Sequence, residues 1–222
     1  MATETWGQSF RLRVHWLLAR SFYGLAHYRH PSRAKALRST LEVHRRLHIR
    51  TVPLECVELY QIVAACEKIP GDMAEAGVFR GGTAALMLEA SQKRVHLFDT
   101  FQGLPQEEGD LEVGEYAASL STVQRNLSPW ADRIEFHPGL FPASAAGIED
   151  LRFSFVHLDL DLYEGTLAAI RWFFPRIHPG GILLSHDFPH LSGVVQAFEE
   201  FFQERPEVVI ALSGQQCLVV KQ

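Results

Sequence analysis

From residue 72 to residue 203 the sequence alternates short apolar runs with longer amphipathic stretches, and this rhythm constrains the fold more than any other feature of the chain. Strands are predicted over 72–76 (DMAEA), 94–99 (RVHLFD), 133–137 (RIEFH), 153–159 (FSFVHLD) and 181–186 (GILLSH), with helices over 82–92, 115–127, 164–174 and 192–203. Strands separated by helices pair in parallel, with the helices covering both faces of one sheet. The C-terminal end breaks the pattern. Two apolar runs, 207–212 (EVVIAL) and 216–220 (QCLVV), are separated only by Ser213-Gly214-Gln215. A parallel return needs a dozen residues or more, so this pair is an antiparallel hairpin. The expected architecture is α/β: a doubly wound, mostly parallel sheet with one antiparallel strand near its edge.

Upstream, residues 10–28 carry Phe10, Val14, Leu17, Leu18, Phe22, Leu25 and Tyr28 at helical spacing, with Leu12, Trp16 and Tyr23 on the far side. Two apolar faces suit a helix sandwiched between surfaces, such as those of two subunits. Further helices are expected over 33–48 and 54–69, the latter stopped by Pro70-Gly71. Charge divides at the same place. Residues 1–50 hold ten Lys and Arg against two acids, and residues 51–222 hold eleven against twenty-four. A basic N-terminal helical extension (1–50) therefore precedes an acidic domain (51–222). The basic residues at Lys35, Arg38, Arg45, Arg46 and Arg50 have no interleaved aromatics, which favours docking against the acidic body over nucleic-acid binding. Homo-oligomerisation through these helices follows as an expectation. No apolar run approaches the ~18 residues of a membrane span. The cysteines Cys56, Cys66 and Cys217 form no CxxC pair, and the N-terminus shows no secretory signal. A reducing, cytoplasmic setting without membrane partners is expected.

Chemistry is concentrated at the ends of strands. The first strand–helix junction reads Glu75-Ala76-Gly77-Val78-Phe79-Arg80-Gly81-Gly82-Thr83. Its glycines permit a tight turn and close approach to a ligand, but their spacing is not that of a pyrophosphate-binding G-x-G-x-x-G loop. Glu75 would repel a pyrophosphate and suit an ammonium group. At the end of the second strand, Asp99 is placed to accept hydrogen bonds from ribose hydroxyls. An adenosine ligand with a zwitterionic tail satisfies both features, which describes S-adenosylmethionine. Later strands end in His157-Leu158-Asp159-Leu160-Asp161 and Ser185-His186-Asp187-Phe188. The carboxyl ends of central strands line the ligand crevice in such sheets, so Asp159, Asp161, His186 and Asp187 should converge. Hard oxygen donors there suit Mg²⁺. Asp161 with Glu164 also matches the capping box of the following helix.

The strings DMAEAGVFRGGTA, LFDTFQGLP and HLDLDLYEGT, with a strand-end acid after PGGILL, resemble the macrocin O-methyltransferase family over about residues 55–190. The resemblance implies a Rossmann-like class I methyltransferase fold and an enzyme that uses S-adenosylmethionine and Mg²⁺ to methylate a hydroxyl of a small molecule, a sugar or polyol on a secondary metabolite. It further implies cofactor contacts at Glu75, Gly77, Gly81, Gly82, Thr83, Asp99 and Thr100. Asp159 and Asp187 become metal ligands and Asp161 the general base. The chain departs from the family at His186-Asp187-Phe188, where the antibiotic enzymes carry Asp-Asp-Tyr. His186 thus stands among the metal ligands, as the other candidate base, and imidazole widens the choice to Mn²⁺ or another softer divalent ion. Two readings compete: a nicotinamide-dependent oxidoreductase on the same fold, and a cofactor-binding protein without turnover. Against the first, no tyrosine is followed by a lysine four residues on.

Overall fold

A computed structural model describes residues 13–18 and 31–222. Its centre is a seven-stranded sheet of order β3-β2-β1-β4-β5-β7-β6. The strands are β1 (Asp72–Ala76), β2 (Val95–Asp99), β3 (Ile134–Pro138), β4 (Phe153–Leu158), β5 (Ile177–His186), β6 (Ile210–Ala211) and β7 (Gln216–Val220). β1 to β5 pair in parallel, and β7 runs antiparallel to both β5 and β6. The hairpin therefore closes as its short turn requires, with β7 the one strand opposed to the rest. Its first arm is shorter than expected. Only Ile210–Ala211 pairs, whereas β5 begins four residues before the predicted strand.

The helices are α1 (Pro31–Leu47), α2 (Pro53–Ala65), α3 (Gly82–Ala90), α4 (Leu120–Asn126), α5 (Tyr163–Phe173) and α6 (Ser192–Phe202). Two cores result, one on each face of the sheet. Met73, Val95, Leu97 and Phe155 meet α2 and α3 residues such as Leu59, Val63 and Leu86 on one side. Phe98, Phe153, Val156 and Leu183 meet Ile170, Phe173 and Phe198 of α5 and α6 on the other. β1 and β4 are buried along nearly their whole length, which explains their continuous apolar runs.

The helix predicted over 10–28 lies mostly outside the described residues; 13–18 is helical. There the burial is the reverse of what the wider stripe suggests. Trp16, from the narrower patch, is 6% exposed, while Leu17 and Leu18 are 65% and 46% exposed. Trp16 is held by stacking on His44 of α1, with ring centroids 3.5 Å apart.

Candidate active site

The carboxyl ends of β1, β2, β4 and β5 open into one cavity of about 1610 Å³, roofed by α1, the 13–18 segment and the loop before α4. On its floor the β1–α3 junction is knitted between its neighbours. The Gly77 N–H donates to the Phe98 carbonyl at 2.9 Å, and the Asp159 N–H donates to the Ala76 carbonyl at 2.9 Å. Gly77 has φ 86°, and a Cβ there would collide with the Asp159 carbonyl oxygen. Only glycine fits.

Asp99 stands where the sequence places it, at the end of β2 and on the cavity wall. Its carboxylate already accepts three backbone N–H groups: Val78 and Phe79 at 2.7 and 3.1 Å on Oδ2, and Phe101 at 2.7 Å on Oδ1. Of about four lone-pair sites on a carboxylate, one remains for a ligand. Asp99 therefore organises the loop as well as facing the cavity. Thr100 also lines the cavity, its hydroxyl donating to the Gly103 carbonyl at 2.8 Å.

The remaining residues of the junction lie behind the wall. An ammonium contact for Glu75 needs an accessible carboxylate, but Glu75 is fully buried between β1 and β4, 2.8 Å from His157 Nδ1. Burial raises its pKa above the ordinary carboxylate value, against opposing hydrogen bonds from His157 and Thr83. Gly81 precedes α3 in the left-handed conformation, Gly82 opens that helix, and Thr83 is buried beneath them. None of these four residues forms the cavity surface. They shape the turn from below.

The acids of β4 and β5 converge as predicted. His186 Nδ1 lies 3.3 Å from Asp159 Oδ1 and 3.1 Å from Asp187 Oδ2, and the three ligand atoms sit within 4.8 Å of one another. On the far side of the imidazole, Nε2 is 3.3 Å from Glu55 Oε2 of α2. Burial opposes a charged imidazole, yet Asp159, Asp187 and Glu55 together hold the His186 pKa well above its ordinary value. Glu55 has no counterpart among the sequence-predicted residues. The signal is present in α2: Glu55, Leu59 and Val63 lie four apart on one buried stripe, and a carboxylate there needs a partner.

Asp161 is brought to the same cluster by a route that differs from the expected extended strand. β4 ends at Leu158, and the Leu162 N–H donates to the Leu160 carbonyl at 2.7 Å, closing a three-residue turn with Asp161 at φ 62°. Such turns are rare and strained. Burial, then the charges of Asp159 and Asp187, raise the Asp161 pKa well above the ordinary value. Nor is Asp161 a cap. The N-cap of α5 is Leu162, without a side-chain bond. The cap comes from the loop before α4 instead: the Tyr163 N–H donates to both oxygens of Glu108 at 3.1 and 3.0 Å. The same carboxylate abuts Gly193 at the start of α6.

Among known structures, the methyltransferase NovP covers 97% of this chain and 99% of its own, with a TM-score of 0.70 at 21% identity. CalS11, a calicheamicin methyltransferase, covers 96% of this chain and 91% of its own, with a TM-score of 0.63 at 18% identity. The fold is thus that of the class I O-methyltransferases. The profile of the family described as Macrocin-O-methyltransferase matches residues 54–209, and the chain belongs to that family. A tetracenomycin rhamnosyl 4'-O-methyltransferase of Streptomyces olivaceus is 31% identical over 153 residues, which is 60% of this chain and 57% of the relative. Mycinamicin III 3''-O-methyltransferase of Micromonospora griseorubida is 30% identical over 155 residues, 60% of this chain and 59% of the relative. The chain spans less than three fifths of the length of these curated relatives.

Proposed function

We propose that the chain is an S-adenosylmethionine-dependent O-methyltransferase acting on a hydroxyl of a small molecule, as its relatives do on sugars of secondary metabolites. The observation that carries this reading is the single cavity in which the Gly77 turn and Asp99 face Asp159, Asp161, His186 and Asp187. The cofactor's ribose takes the remaining acceptor position on Asp99, and its methionine part lies along Gly77 and Thr100. Asp161 receives the acceptor's proton as the methyl group passes from sulfonium to oxygen; its raised pKa brings it nearer to a base that operates at neutral pH.

Asp159, Asp187 and His186 fit a divalent ion by donor type and mutual distance, with Glu55 orienting the imidazole from behind. Bound there, the ion would polarise the acceptor hydroxyl and lower its pKa. The imidazole must release its proton to ligate, so binding should weaken as pH falls. Self-association through the two-faced N-terminal helix belongs to the same reading.

Titration calorimetry decides it. S-adenosylhomocysteine should bind and NAD should not, and Mn²⁺ binding followed by electron paramagnetic resonance should be lost in Asp187→Asn. Binding of NAD in place of S-adenosylhomocysteine would refute the methyltransferase assignment. Unchanged Mn²⁺ binding in the variant would remove the metal from it.

A further inference from the structure

The cavity is larger than the 300–1,000 Å³ that one small ligand occupies, and the space beyond the cofactor and acid residues has an unusual wall. Arg13 of the 13–18 segment, Arg38 and Arg45 of α1, and Arg50 after α1 all line it. Arg38 and Arg45 are seven residues apart, so they share one face of α1 about 10 Å apart along its axis. No lysine lines the cavity. Arginine differs from lysine in offering a planar fork that binds phosphate oxygens in pairs. Arg80 lines the cavity as well, and the carboxylates Glu42 and Glu115 are among the lining residues. Among the described residues, Arg13, Arg38 and Arg45 form no ion pair.

The acids Asp159, Asp161 and Asp187 in the same cavity repel an anion, which gives a bound molecule one orientation: anion to the arginines, hydroxyl to Asp161.

We propose that the acceptor is a phosphorylated small molecule, of the sugar phosphate or nucleoside-diphosphate sugar class, whose phosphate is held by Arg13, Arg38, Arg45 and Arg50. This rests on the methyltransferase reading for the identity of the opposite end, but the anion site itself can be tested apart from it.

The test is titration of the full chain with pyrophosphate, uridine diphosphate and uridine, in saturating S-adenosylhomocysteine so that the cofactor's place is blocked. Pyrophosphate and uridine diphosphate should bind with Kd below about 1 mM, and uridine should not. In Arg38→Gln/Arg45→Gln both should bind about tenfold more weakly or worse, with the melting transition unchanged because both side chains are exposed. Lys35→Gln removes an exposed α1 charge that does not line the cavity and should leave binding as it was. Equal weakening by Lys35→Gln, or no binding of either anion at millimolar concentration, would overturn the proposal. If the anions bind and S-adenosylhomocysteine does not, the methyltransferase reading fails and the anion site stands; the converse result does the opposite.

Discussion

Asp161→Asn separates chemistry from structure more cleanly than any other change at this site. Three structural costs that the substitution could carry are small. Asparagine tolerates the left-handed φ of 62° at least as well as aspartate. No helix cap is lost, because Glu108 supplies the one at Tyr163. The side-chain hydrogen bond between Asp161 and Asp187 can be remade by an amide donor, and repulsion from Asp159 and Asp187 is relieved. The net change in stability should stay within about 1 kcal/mol, a shift of roughly 2–4 °C in Tm for a chain of this size. Loss of the proton acceptor should lower turnover by about 10²–10⁴-fold. The assay pairs single-turnover transfer from methyl-labelled S-adenosylmethionine to an acceptor that the wild type uses with calorimetry of S-adenosylhomocysteine. A variant that melts early but keeps its rate per folded molecule would refute the argument, and would mean that Asp161 serves the fold alone.

Glu108→Ala removes a charged cap from α5 and a contact at the start of α6, and should cost about 1–2 kcal/mol, read as a Tm lower by about 2–8 °C. Proteolytic cleavage within 102–118 should also accelerate; an unchanged Tm and cleavage rate would show that the loop is not anchored there. Glu75→Gln tests a pH effect of defined sign. With its pKa raised in the folded state, Glu75 holds a proton more tightly folded than unfolded, so its contribution is complete below about pH 4.3 and is lost as pH rises toward the folded value. The wild type should therefore lose more stability than the glutamine variant between pH 4.5 and 7.5, measured by urea denaturation. Parallel pH profiles would count against a buried, protonated Glu75.

Much of this molecule is legible in local pattern. β1 and β7 have the bounds that their apolar runs predict, and the three-residue connection alone dictates the antiparallel hairpin. The convergence of Asp159, His186 and Asp187 follows from strand ends in a parallel sheet. What escapes the pattern is how long-range contacts divide the labour. Glu75 and Asp99 are both acids beside a glycine turn, yet one is sealed against His157 and the other grips three amides; a strand's sequence does not reveal which neighbour will cover it. Glu164 has the spacing of a capping box, but Glu108 takes that role from 55 residues upstream. The loop 102–118 is held to α5 by Glu108 and to the glycine turn by Tyr116, while Glu107, Asp110 and Glu112 are exposed.

The backbone around the cavity carries a further constraint. Among the described residues, six other than glycine have positive φ, and five of them line the cavity: His48, Phe79, Tyr116, Asp161 and Asp187. Conformations of this kind persist only where the surroundings over-determine them. For Asp161 and Asp187, residue type answers both demands, since aspartate is among the few side chains that tolerate this region and also supplies the carboxylate. Phe79 and Tyr116 have no such tolerance. Their rings pack edge to face at 5.9 Å, tying the glycine turn to the loop above it. Burial, followed by the charges of Asp161 and Glu115, raises the Tyr116 hydroxyl to about 12, so it remains a neutral donor at the cavity wall. The strained positions thus lie on the loop after α1, the glycine turn, the loop before α4 and the acids, all around one cavity above strands β1 and β4 that are buried along nearly their whole length. A cavity built this way is shaped before its ligands arrive, which limits the ordering that binding must impose.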